Sequence, residues 1–210
     1  MTDPVPTAGG RLPGAVNITG LGLQLREWDD ADAPVMVELF DEPQVGRWTP
    51  LRHPFDLAAA RTYLDQARTR RAEGRSIQLA ITSDGRTALG EILLFVAGPD
   101  GPSNGGPYAE LAYAVGSRHR RQRLAARAVR LMTDYAYHAL ALQQVVLRID
   151  PDNAASTAVA RATGFHVTDA APVTRGRGPL LTWRHQAPAS LPRPSYEDGQ
   201  ENAPRPFPAT

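Results

Sequence analysis

The densest chemistry in the chain lies in one short run, Arg118-His119-Arg120-Arg121-Gln122-Arg123, and its neighbours decide what that chemistry can be. Before it, Leu111, Tyr113 and Val115 alternate with Glu110, Ala112 and Ala114, the two-residue period of a strand. After it, Leu124, Ala128, Leu131 and Tyr135 recur at helical spacing. A basic loop between a strand and a helix suits phosphate. The first helical N–H groups lack partners, the helix dipole is positive there, and arginine adds forked donors. The other reading of such a run is a nucleic-acid tract. It is short, confined to a strand–helix junction and free of interleaved aromatics, so no nucleic-acid partner is expected. His119 has no second ligand at metal spacing and reads as a loop residue; no metal is expected.

A second constellation follows. Val145 to Ile149 is an apolar strand, Asn153 a helix N-cap, Ser156 the third helical position, and Gly164 the residue that closes the helix. From the residues alone, Ser156 is a capping or helix-start serine, and Glu110 a strand-edge glutamate paired with an arginine. Trp48, on a long connector, is either a core plug or a pocket wall. The chain has no cysteine, and its G-x-S-x-G match, Gly101-Pro102-Ser103-Asn104-Gly105, falls in the Gly-rich loop 97–107 rather than at a strand-to-helix elbow, so neither nucleophile system is supported.

Together these stretches resemble the GNAT superfamily of acyl-CoA-dependent N-acyltransferases, most closely its ribosomal-protein N-acetyltransferase-like branch. That family's phosphate loop reads Arg or Gln, two residues, Gly, one residue, then Gly or Ala. Here it stands as Arg120-Arg121-Gln122-Arg123-Leu124-Ala125, with Arg123 where the family has glycine. The Asn-x-x-Ser signature stands as Asn153-Ala154-Ala155-Ser156, and its helix ends in Gly164-Phe165. The weaker similarity runs from about Leu21 to Trp183.

The resemblance implies a GNAT-like α/β fold. Its mixed, mostly antiparallel sheet would have six or seven strands, one parallel splayed pair and about four helices. It implies acetyl-CoA as acyl donor, held by Arg120, Arg121, Gln122, Arg123, Leu124, Ala125 and Asn153 and by strand backbone at Ala114 and Val115. It implies Glu110 as the base that deprotonates the acceptor ammonium. Ser156 would protonate the leaving thiolate, since the tyrosine many relatives use is Ala160 here. Glu91 is the reserve carboxylate and, with Trp48, lines the acceptor side. The acceptor would be a small-molecule or protein N-terminal primary amine, and the protein a monomer or homodimer. With Arg123 in the loop, a non-catalytic acyl-CoA-binding or regulatory module is the alternative.

The supporting elements read in order. Residues 1–20 form a flexible arm, 21–186 the acyltransferase domain and 187–210 a disordered tail with six prolines. Leu21 to Arg26 alternates as a first strand, and Asp29 or Asp30 caps a helix through Phe40. Residues 43–54 are a connector, and Asp56 caps a helix that stops at Gly74. Ile77–Ile81 and Leu89–Val96 form a hairpin about Asp84-Gly85. Residues 97–107 are a Gly-rich loop. Val145 to Ile149 returns by a right-handed parallel crossover. Phe165–Thr168 and Pro179–Arg184 form a last pair joined through Arg175–Gly178.

Composition sets the outer bounds. The 210 residues suit one domain with tails, at 42% hydrophobic and 21% charged. All 23 basic residues are arginine, yet net charge is only +1, so no global field draws the chain to nucleic acid or membrane. No run is apolar enough to span a bilayer, and a cytoplasmic protein is expected.

Overall fold

The computed structural model describes residues 12, 14–51, 53–96, 108–175, 178–190 and 195–198. The Gly-rich loop 97–107, the arm before residue 12 and most of the tail lie outside them.

A mixed sheet forms the frame. Its strands are β1 (Asn17–Gly20), β2 (Leu23–Glu27), β3 (Ser76–Thr82), β4 (Ala88–Val96) and β5 (Tyr108–Val115). They continue as β6 (Gln144–Ile149), β7 (His166–Val167), β8 (Val173–Arg175), β9 (Gly178–Gln186) and β10 (Glu197–Asp198). The order is β10-β1-β2-β3-β4-β5-β6-β9-β7, with β8 pairing β9. Every pairing is antiparallel except β5 with β6. The expected mixed sheet with one parallel pair is present, and short strands at its margins add to the six or seven.

Among the described residues five α-helices cover it: α1 (Ala33–Phe40), α2 (Pro43–Trp48), α3 (Leu57–Ala72), α4 (Leu124–His138) and α5 (Ala154–Ala162). On one face α4 and α5 bury Leu25, Leu79, Leu111, Leu147, Met132 and Phe165 in the larger core. On the other, α1 and α3 bury Trp28, Phe40, Phe55 and Leu64 against Ala80 and Ala88. The aromatic rings there meet edge-on, Phe40 lying 5.7 Å from Phe55 and Phe55 5.9 Å from Tyr63. Strand β3 is buried along its whole length because helices cover both faces at the sheet's centre. None of the described helices is long and apolar enough to cross a membrane.

Several boundaries depart from expectation. Asn17–Gly20, assigned to the arm, is a strand paired with β2. Glu197–Asp198, assigned to the tail, returns to pair with β1. A Cβ on Gly20 would collide with the Ser195 carbonyl, so this close return relies on glycine. The connector contains α2, for Pro43 occupies the first helical turn, where its missing N–H costs nothing. Gly46 within α2 admits the His53 ring, which a Cβ would meet at 2.5 Å. The expected last pair is present as β7 with β9, and the short β8, which was not expected, pairs with β9 as well. The two-residue β10 has too little periodicity to be read from sequence.

Candidate active site

The parallel pair opens into a cleft. Strands β5 and β6 are in register from Tyr108 opposite Gln144 to Leu111 opposite Leu147. Beyond that point Ala112–Val115 pair only with β4, and Arg148 and Ile149 only with β9. The inner strand edges beyond Leu111 and Leu147 therefore present backbone donors and acceptors to the cleft rather than to each other. Ala114 and Val115 lie along its β5 wall.

At the mouth stands the basic loop. A short 3₁₀ turn over Ser117–His119 leads through Arg120 into α4. Arg121 and Arg123 adopt left-handed backbone, with φ of 62° and 56°. Arg123 is the N-cap residue of α4, and no side chain caps that terminus. The arginine thus keeps the backbone shape that glycine would reach without strain. Leu124 and Ala125 open a 15-residue helix whose first N–H groups have no intrahelical acceptor.

The loop is tied down from two sides. Arg120 donates through Nε to the Val115 carbonyl at 3.2 Å and through its Nη atoms to Gln44 Oε1 and Glu42 Oε2. Glu42 also accepts from the Ser117 N–H at 3.2 Å. Arg127 on α4 donates to the Leu21 carbonyl at 3.0 Å and to the Gln122 carbonyl at 3.2 Å. Arg120, expected on the coenzyme, spends its guanidinium on α2, while Arg118, Arg121, Gln122 and Arg123 remain exposed. An uncapped helix terminus ringed by exposed guanidinium groups fits a diphosphate.

Across the cleft, Asn153 Oδ1 accepts the Ser156 N–H at 3.0 Å and fixes the start of α5. Asn153 acts as the expected cap and presents Ser156 toward Tyr113. Tyr113 Oη is buried without a hydrogen bond. Burial pushes its phenol up to about 12, with the nearby Ser156 side chain pulling the other way. Sequence reasoning treated Tyr113 only as an inward strand residue. The signal available was a hydroxyl at an apolar position.

The carboxylates separate. Glu110 lies on the face opposite α4, since its neighbours Ala109 and Leu111 point into the larger core. Its Oε2 is 3.8 Å from Arg148 Nε, with the two side chains 14% and 9% exposed. Arg148 also donates to Thr182 Oγ1. The glutamate–arginine pairing read from sequence is present, and both groups flank the apex of the cleft. Glu91 instead is 2% exposed. It accepts from Tyr63 Oη at 2.8 Å and Gln78 Nε2 at 2.7 Å. Burial pushes its carboxyl up to about 7, opposed by those two donors. Glu91 is paired across the ladder with Ala114, yet its carboxyl lies between α3 and β3 and does not meet Glu110. Trp48 ends α2 half-exposed, with the Arg47 guanidinium 4.5 Å above its ring, outside both buried cores. Among the described residues no cluster could hold a metal ion.

Comparison with known proteins fits this geometry. Residues 23–166 match the acetyltransferase (GNAT) domain family. Mycobacterium smegmatis RimJ in complex with CoA-disulfide superposes with a TM-score of 0.70 at 19% identity, covering 83% of this chain and 88% of that one. The ribosomal-protein-S5-alanine acetyltransferase of Vibrio fischeri gives 0.66 at 17% identity, over 81% and 96% of the two chains. A Salmonella typhimurium acetyltransferase that modifies the N-terminal serine of ribosomal protein L7/L12 gives 0.66 at 14% identity, over 78% and 94%. Among curated proteins, none matches.

Proposed function

Because the chain belongs to the GNAT acetyltransferase family, we propose that it transfers an acetyl group from acetyl-CoA directly to a primary amine within one ternary complex. The observation that carries this reading is the cleft itself. Parallel strands part at Leu111 and Leu147, directly before the uncapped N-terminus of α4.

Each part then has a task. The α4 N–H groups from Leu124 and Ala125, with Arg121, Gln122 and Arg123 around them, hold the coenzyme diphosphate. The open β5 edge at Ala114 and Val115 pairs with the amides of the coenzyme arm and leads its thioester to the apex. There Glu110 takes a proton from the acceptor ammonium. The freed nitrogen lone pair attacks the thioester carbonyl carbon, a C–N bond forms, and the C–S bond breaks. The thiolate collects a proton from Ser156, beside Tyr113; the nitrogen sheds its second proton as it becomes an amide, which restores the Ser156 hydroxyl through solvent, and Glu110 releases its own proton to solvent. A coenzyme thiol is a good leaving group, so a weak acid there suffices. Bound CoA in the M. smegmatis structure supports the donor assignment.

Thiol release from acetyl-CoA across a panel of amines tests the reading. In that assay Glu110→Gln should lower turnover roughly 10²–10⁴-fold while leaving the coenzyme dissociation constant nearly unchanged. Undiminished turnover from pH 6 to 9 would remove Glu110 from the role.

The non-catalytic alternative rested on Arg123. With Arg123 keeping the left-handed backbone at the start of α4, the loop shape no longer favours it.

A further inference from the structure

Resting on the acetyl-transfer reading, we propose that the acceptor is a free α-amino acid, its carboxylate held by Arg148 and its ammonium by Glu110. The motivating feature is an ion pair poorly matched to a purely structural purpose. Arg148 is nine-tenths buried, yet its Nε makes no hydrogen bond among the described residues. Its carboxylate partner stands 3.8 Å away, well beyond the roughly 2.8 Å of a charge-assisted hydrogen bond. A buried guanidinium with an empty donor is costly unless something fills it.

Position supplies the second argument. Glu110 sits one residue before the last parallel pairing on β5, and Arg148 one residue after it on β6. Both point to the face opposite the larger core, because Leu111 and Leu147 between them belong to that core. The pair therefore straddles the apex where the coenzyme's acyl end would arrive. An amine bound there approaches the carbonyl from the side away from α4.

Charge supplies the third. A single ammonium entering this site would compete with Arg148 for Glu110 and leave the guanidinium unbalanced. A zwitterion carries both signs on adjacent carbons and can bridge the two groups without adding net charge. Its carboxylate matches the planar fork of Arg148, and its ammonium meets the carboxylate assigned as base. A protein N-terminus offers a neutral peptide carbonyl in place of that carboxylate.

The test uses the wild-type chain, acetyl-CoA and thiol release. Each L-amino acid is compared with its amide, with a short peptide of the same first residue, and with propylamine. The best amino acid should exceed its own amide and peptide in kcat/KM by at least about 10²-fold, as expected when a buried donor loses its only good partner. Equal or faster turnover of the amide, peptide or propylamine overturns the inference and leaves acetyl transfer standing. Silence from every amine overturns acetyl transfer itself and the inference with it. In Arg148→Gln the acid-to-amide ratio should fall toward unity; an unchanged ratio overturns the assignment of Arg148. The wild-type comparison needs no variant, so misfolding of Arg148→Gln leaves it decisive.

Discussion

At the scale of single residues, Arg123 holds the strongest tension between local preference and placement. Its φ of 56° and ψ of 19° put a bulky side chain in the left-handed region, at a cost of about 1 kcal/mol relative to glycine. An exposed guanidinium beside an uncapped helix terminus can return that cost once a phosphate is bound. Two variants separate strain from recognition. Arg123→Gly should stabilise the free protein by about 1 kcal/mol in denaturant unfolding, and Arg123→Ala should not. Both should weaken coenzyme binding and make it less dependent on salt, because one phosphate contact is gone. Tighter binding by the glycine variant would show that the arginine obstructs the loop.

At the scale of elements, Glu91 joins three of them. Tyr63 of α3 and Gln78 of β3 both donate to this carboxyl of β4, inside the layer between helix and sheet. Burial raises its folded pKa to about 7, against an ordinary value of 4.5. The protonated form is the one the fold prefers. Its contribution is therefore complete below pH 4.5 and is lost as pH rises through about 7. The full loss is on the order of 3 kcal/mol by linkage. Glu91→Gln cannot ionise, so the stability of wild type relative to Glu91→Gln should fall between pH 5 and pH 8. Urea unfolding of both proteins at those two pH values measures it, and parallel pH profiles would refute it. Both oxygens of Glu91 already accept from Tyr63 and Gln78, which leaves the group poorly placed to meet a positively charged acceptor.

At the scale of the whole molecule, the described stretch Ser195–Asp198 packs beside α4. Tyr196 packs against Tyr135 at 5.7 Å, Ser195 donates to Asp134, and β10 extends the sheet beside β1. None of these contacts reaches the cleft. Removal of residues 188–210 should therefore leave coenzyme affinity within a few-fold of the parent. It should also lower stability by about 1–3 kcal/mol through lost aromatic burial, or several degrees in melting temperature. Tyr196→Ala should reproduce most of the melting loss. A collapse of coenzyme binding on truncation would mean that the tail belongs to the active domain.

Much of this was legible in the chain itself, because local rules operate within a few residues. Alternation marked β5, helical spacing marked α4, and the caps at Asp56 and Asn153 stand where sequence placed them. Short pieces were not legible. Residues 17–20 and the strand at 197–198 owe their pairing to each other across nearly the whole chain, and the helix Pro43–Trp48 leans on the His53 ring beyond its end. The site divides along the same line. Sequence determined which groups are available: a basic loop, a capped serine helix, a glutamate on the central strand. Tertiary structure alone decided their partners. It seated Arg120 on Glu42, buried Glu91 under Tyr63, and set Arg148 across from Glu110. Partner choice depends on strand order and on which face each residue takes, and those are set by packing of the whole sheet rather than by any local run.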